Sequence, residues 1–236
     1  MKPRKVSTMK LKVLVFSILA AAAIASAADD HGSDARKRIT SAATVLKEVM
    51  DAPDKGIPDW VLQRAHCAII VPNAKSGGFI VGAKYGKGVM TCRKADGGWS
   101  APSAVRVEGG SVGFQIGVTE TDAIFFVMNA AGKDKLLKSE FTIGASAGAV
   151  AGPVGRSAKA ETDALLHAEI LSYSRSRGAF VGLALEGGTL RADDSENKDM
   201  YGRTIGREEI LTGNVAPPAE ARDLLALLGK YSFSEK

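Results

Sequence analysis

Cysteine and histidine are scarce in this chain, with two and three copies among 236 residues. Two cysteines, Cys67 and Cys92, cannot make the staple framework of a small disulfide scaffold. A chain of this length has to rely on a buried apolar core. His31, His66 and His167 are scattered, and no paired His or Cys spacing occurs, so neither a metal site nor a cofactor is expected. Long apolar runs are missing as well. The run from Val13 to Ile24 stops after 12 residues, and the uncharged stretch 141–155 is broken by Pro153. Neither reaches the roughly 20 residues that a membrane-spanning helix needs. The spacing of Gly144, Gly148 and Gly152 therefore reads as a buried strand and loop rather than a membrane helix face.

An excess of one charge sign is also missing once the N-terminus is set aside. Lys2, Arg4, Lys5, Lys10 and Lys12 precede the apolar run, and Ala25-Ser26-Ala27 follows it. A basic start, a short apolar run and a small-x-small exit predict a secretory signal peptide cleaved after Ala27. Removing 27 of the 236 residues leaves 209, expected to form one domain over 28–236. The whole chain has 31 basic and 26 acidic residues; without the five leader bases the balance is 26 against 26. A neutral domain lacks the broad positive field that attracts nucleic acid, so no nucleic-acid partner is expected. Export places the protein in the periplasm or outside the cell, with a peripheral position at a membrane.

What is present starts with a helix. Ala35, Ile39, Ala42, Leu46 and Val49 recur at spacings of 4, 3, 4 and 3, which is one apolar stripe. Its cover is either the domain's own sheet or, after detachment, an anionic bilayer. Pro58 opens a second short helix carrying Trp60, Val61, Leu62 and Ala65. The period then changes. Segments 67–71, 78–84, 89–93, 104–108, 112–119 and 123–129 read as successive strands of an antiparallel meander, punctuated by Gly, Asp and Asn. Short helices are expected near 131–139 and 160–167, extended chain over 141–150, a hairpin at 170–174 and 179–186, and a closing helix at 219–228.

Gly78, Gly82 and Gly86 share one parity, as do Gly113 and Gly117. A strand face emptied of side chains admits another backbone or lets the sheet bend. The fold class expected is therefore α+β: a strongly curved, mainly antiparallel glycine-rich sheet or partial barrel with N- and C-terminal helices packed on it. A hairpin around 85–88 would leave one strand between Cys67 and Cys92. Two strand spacings are about 9.6 Å, beyond the roughly 7 Å reach of a disulfide, so free thiols are expected. Trp99, at a Gly97-Gly98 turn, is expected to fold its ring over a strand end as a buried anchor.

Chemistry-bearing motifs are weak. Gly144-Ala-Ser146-Ala-Gly148 matches a nucleophile elbow, but that elbow needs a parallel βαβ context and properly placed acid and histidine partners. Only His167 follows, with Glu161 and Asp163 close by, so a serine hydrolase using Ser146 is the remote alternative. Gly82–Gly88 fails the spacing of a phosphate loop. Asp193, Asp194, Glu196, Asn197 and Asp199 lack the spacing of a calcium loop and read as a helix start. Two basic clusters remain. Arg36, Lys37 and Arg38 sit in the first turn of the N-terminal helix, where cations oppose the macrodipole and an anionic surface would relieve the cost. Arg175 and Arg177 alternate on one side of a strand, and Arg156 can join them.

Five phrases occur in order: 77–88 (GGFIVGAKYGKG), 98–102 (GWSAP), 110–117 (GSVGFQIG) with Thr121-Asp122, 151–156 (AGPVGR) and 173–178 (YSRSRG). Together they resemble the SYLF domain family over roughly Ile39 to Leu228. The resemblance implies a non-catalytic lipid-binding domain. Eukaryotic relatives bind phosphoinositides and fungal relatives also bind actin filaments, usually with an SH3 or FYVE module that is absent here. An N-terminal amphipathic segment and basic residues carry lipid binding in such relatives; the helix from Asp34 to Met50 is its counterpart by position. The expected partner is an anionic lipid or membrane surface, met by Arg36, Lys37, Arg38, Arg156, Arg175 and Arg177. A structural or protein-interaction domain without lipid is the alternative.

Overall fold

The computed structural model describes residues 32–52, 56–138, 141–143, 149–155, 165, 167–176, 179–180, 185 and 187–232. The first described element is helix α1 (32–50). All five stripe residues face the core; none of Ala35, Ile39, Ala42, Leu46 and Val49 is more than 1% exposed. Their cover is the domain itself. Burying Ile39, Leu46 and Val49 stabilises the packed state by about 1.5–3 kcal/mol each. Three bases at an anionic surface contribute about 1 kcal/mol each. A bilayer would cover the stripe again but leave the apolar sheet face beneath it bare, so the packed position of α1 is favoured. Helix α2 (Asp59–Arg64) follows Pro58, which stands at its N-cap.

Two very long strands replace the expected meander. Strand β1 spans Cys67–Cys92 and β2 spans Ser103–Val127. They pair antiparallel from Cys67↔Val127 to Met90↔Ser103, with irregularities between Val71 and Ala74 and between Gly78 and Ile80. The expected hairpin at 85–88 does not exist; Lys84 to Gly88 continue the ladder opposite Gly109 to Val105. The ribbon instead curls until the two ends of β1 meet. Gly86 and Gly88 make this possible. A Cβ on Gly86 would stand 2.7 Å from Val71 Cγ1, and one on Gly88 would collide with the carbonyl of Ile70.

That curl corrects the expectation of free thiols. Cys67 and Cys92 are joined in a disulfide, with their Cα atoms 3.9 Å apart. The expectation assumed flat, stacked strands, and a ribbon folded across itself brings residues 25 apart in sequence into contact.

Beyond the ribbon, α3 (Ala130–Lys138) leads to β3 (Phe141–Thr142), β4 (Ala149–Ala151), β5 (Ile170–Ser176), β6 (Ala179–Phe180) and β7 (Thr189–Ala192). Strand β5 pairs with the far end of β2, from Asp122↔Arg175 to Val127↔Ile170. Strand β7 pairs with its near end, from Val105↔Ala192 to Glu108↔Thr189. Strands β3 and β6 are antiparallel additions, whereas β4 joins β5 in parallel. Helices α4 (Asp194–Tyr201), α5 (Arg207–Thr212), a 3-10 turn (Ala219–Ala221) and α6 (Arg222–Ser232) are the last described elements. Strand β7 and helix α5 have no counterpart among the elements that the sequence pattern predicts.

The fold is thus α+β around a curled, mostly antiparallel sheet, seven-stranded among the described residues. Alternate residues serve two cores. Cys67, Ile69, Val71, Val105, Val107, Phe125 and Val127 fill the inside of the curl. Ala68, Ile70, Ile124 and Phe126 meet α1, α2 and α6 outside it. Trp99 is 8% exposed, as expected of an anchor. Its Nε1 donates to Ser232 Oγ of α6 at 3.2 Å, and the Arg93 guanidinium lies 4.8 Å from its ring centre.

Candidate functional site

Three cations stand directly opposite one another across three strands: Lys87 of β1 faces Arg106 of β2, which faces Arg191 of β7. Like charges at such positions repel, so the fold must supply acids. Helix α4 does so. Asp193 caps its first turn, accepting from the Glu196 backbone N–H at 3.2 Å and from Ser195 Oγ at 2.7 Å. The expected helix start is therefore present, but it is buried: Asp193, Glu196 and Asn197 are 1%, 6% and 0% exposed. Asn197 Oδ1 accepts the Ala104 backbone N–H at 2.7 Å and pins the helix to β2.

Glu196 lies 2.7 Å from Lys87 Nζ and 3.0 Å from Arg38 Nε, which ties α1 to the sheet. Asp193 lies 3.7 Å from Lys87 and 3.9 Å from Arg106. Glu108 stands between Arg106, at 3.2 Å, and Arg191, at 3.8 Å. Burial alone would raise the Asp193 pKa; the Ser195 hydroxyl, the Glu196 N–H, Lys87 and Arg106 outweigh it and hold the carboxyl below its ordinary value. Burial likewise opposes the charge on Lys87, and Glu196 with Asp193 raises its pKa above the ordinary value.

Charge is layered here. The carboxylates of Asp193 and Glu196 are 2% and 7% exposed, while Lys87, Arg106 and Arg191 are 33%, 35% and 37% exposed. Cations form the outer layer, and Asp193 and Glu196 lie beneath them. Beside the row a cleft of about 590 Å³ runs between α1 and β1, lined by Lys37, Arg38, Asn73, Lys75, Tyr85 and Lys87 among others. Tyr85 is 46% exposed in it. At its rim Lys37 pairs with Asp34 at 3.2 Å and Lys75 with Glu120 at 3.5 Å. Both are exposed pairs of the kind that contribute about 0–1 kcal/mol and yield easily to a competing anion.

The structure divides the residues singled out from sequence. Lys37 and Arg38 line the cleft, and Arg36 is exposed nearby on α1. Arg175 is engaged elsewhere. It is 16% exposed and bonded to Glu48 of α1 and Asp122 of β2, where it locks α1 to the ribbon. Arg156 and Arg177 lie outside the described residues, as do Ser146, Glu161 and Asp163. Sequence reading missed Lys75, Lys87, Arg106 and Arg191, because only strand register brings them together. Among the described residues no group of three His, Cys, Asp or Glu could hold a metal ion. None of the described helices is long and apolar enough to cross a membrane.

A curled ribbon wrapped by helices makes an α+β domain that carries a cationic outer layer beside a polar cleft. Residues 108–231 match the Ysc84 family, described as Las17-binding protein actin regulator, and the chain belongs to that family. It is 33% identical over 210 residues to the SH3 domain-containing YSC84-like protein 1 of Rattus norvegicus, covering 86% of this chain and 61% of the rat protein. It is 36% identical over 186 residues to Protein YSC84 of Saccharomyces cerevisiae, covering 77% of this chain and 39% of the yeast protein. LAS seventeen-binding protein 3 from the same species is 35% identical over 186 residues, or 77% of this chain and 40% of that protein. The chain thus spans about three fifths of the animal relative and two fifths of the yeast ones. The SYLF resemblance is the same relationship.

Proposed function

We propose that this domain is a non-catalytic peripheral module that binds anionic lipid headgroups with the face formed by α1, β1 and the cation row. The observation that carries the reading is the layering of charge: Lys87, Arg106 and Arg191 lie outside the buried Asp193 and Glu196. With Arg36, Lys37, Arg38 and Lys75 beside them, these side chains meet phosphates without detaching α1. Arg156 and Arg177 are retained as further candidates. Export after cleavage at Ala27 belongs to the same proposal. The disulfide between Cys67 and Cys92 fits it, because disulfides persist in oxidising compartments.

Flotation with vesicles tests the lipid reading. Binding is expected to anionic vesicles and not to zwitterionic ones, and to weaken with salt. Arg36→Glu with Lys37→Glu should lower partitioning about tenfold or more, given about 1 kcal/mol per base removed. Binding that ignores salt and these substitutions overturns the electrostatic account.

A protein-docking reading is favoured by one observation, the Las17-binding description of the family. On that reading the same face takes an acidic protein partner and no vesicle binds. In an exported chain that partner is an envelope protein, since cytosolic actin machinery is out of reach.

A further inference from the structure

A second cationic recess lies at the closed turn of the ribbon. The turn at Arg93, Lys94 and Asp96, Lys133 of α3 and the chain leaving α5 at Asn214 surround a cleft of about 390 Å³. It shares no lining residue with the cleft beside α1.

Its positive charge is poorly balanced. Arg93 gives its guanidinium to neutral acceptors: Nη2 donates to Leu62 O at 2.7 Å, Nε to Ala65 O at 3.1 Å and Nη1 to Gly97 O at 3.4 Å. Lys133 Nζ donates to Arg93 O at 3.3 Å. Carbonyls satisfy donors but do not cancel a unit charge. Among the described residues neither cation has a carboxylate at ion-pair distance. The local acid Asp96 is 64% exposed and pairs with Lys94 at 2.9 Å. Helix α3 adds to the imbalance, because its first turn carries Lys133 and no acid. His66 registers the result. Burial first, then the charges of Lys133 and Arg93, hold its imidazole below the ordinary value.

We propose that this cleft binds a small tetrahedral oxyanion, as free inorganic phosphate or as the phosphomonoester end of a larger molecule. Lys133 and Lys94 make the direct contacts, Arg93 supplies a fixed charge behind them, and the Asn214 amide borders the rim. An anion there offsets each of the three unfavourable terms at once.

Linkage provides the readout. An anion that favours protonated His66 raises its pKa, and protonation tightens anion binding by the same factor. Sulfate is the clean probe, since it stays doubly charged throughout the histidine range. The His66 ring is titrated by NMR in sulfate and in chloride at equal ionic strength, which cancels simple screening. In sulfate the His66 pKa should rise by about half a unit, a threefold change in proton affinity. Phosphate should compete with sulfate. Lys133→Ala should abolish the rise and Lys94→Ala should reduce it, with melting temperatures unchanged in both. Identical titrations in the two salts overturn the proposal. So does a rise that survives both substitutions, which would place the anion elsewhere.

Discussion

Gly88 lies against the carbonyl of Ile70, a residue of the same strand, and a Cβ on Gly88 would also stand 2.9 Å from Val71 Cα. Strand β1 crosses itself at this point, and backbone cannot move aside as a flexible side chain does. Gly88→Ala should therefore destabilise the domain by about 1–3 kcal/mol or more, the usual cost of overpacking. Urea unfolding measures it. Gly229 makes the opposite case. It lies inside α6 with nothing within 4 Å of an added Cβ. Gly229→Ala should stabilise by about 0.5–1 kcal/mol through the lower backbone entropy of the unfolded chain. Equal effects at the two positions would refute the crossing.

These glycines also show how much of the fold the sequence reveals. The parity of Gly78, Gly82 and Gly86 announces a bend, and the stripe of α1 announces a buried face. What local pattern cannot reveal is where a bent ribbon returns to itself. Period-2 alternation looks the same in six short strands and in two long ones, so the segments between 67 and 129 read as a meander. The cationic row suffered the same limit. Lys87, Arg106 and Arg191 are 19 and 85 residues apart in sequence, and each alone looks like an ordinary surface base. The pairing of Arg175 is hidden in the same way, because its partners Glu48 and Asp122 come from distant elements.

The disulfide holds the curl shut. It closes a loop of 26 residues, Cys67 through Cys92, at the ends of one strand. Loop-closure entropy predicts that Cys67→Ala with Cys92→Ala lowers stability by about 3.5 kcal/mol. The oxidised protein should weigh 2 Da less than the reduced one, about one hydrogen per sulfur. A full mass with two alkylatable thiols under non-reducing conditions would contradict the closed ribbon.

Trp99 joins the ribbon turn to α6. Its ring is covered on one side by the Arg93 guanidinium, which also accounts for the carbonyls at the end of α2. Trp99→Ala should cost about 3–5 kcal/mol, the range for truncating a buried aromatic. Trp99→Phe keeps most of the bulk and loses the hydrogen bond to Ser232, so a loss of about 1–2 kcal/mol is expected. If both variants melt like the parent, the ring is not packed as described.

Acid should weaken this domain in two separate steps. His66 has a folded pKa below the ordinary 6.5, held down by burial, Lys133 and Arg93. The unfolded chain therefore takes up that proton first, and stability begins to fall as pH drops through 6.5. The loss ends once pH has passed the lower, folded value. Asp193 is also depressed, here from 3.8, but for the opposite reason: its charged form is preferred in the fold. Its contribution is complete above 3.8 and disappears as pH falls through its folded pKa. His66→Gln should flatten only the upper step, while Asp193→Asn should flatten only the lower one and lower stability at neutral pH. Urea midpoints measured across the acid range separate the two. An upper step that persists in His66→Gln would assign it to another group and remove the electrostatic link between His66, Arg93 and Lys133.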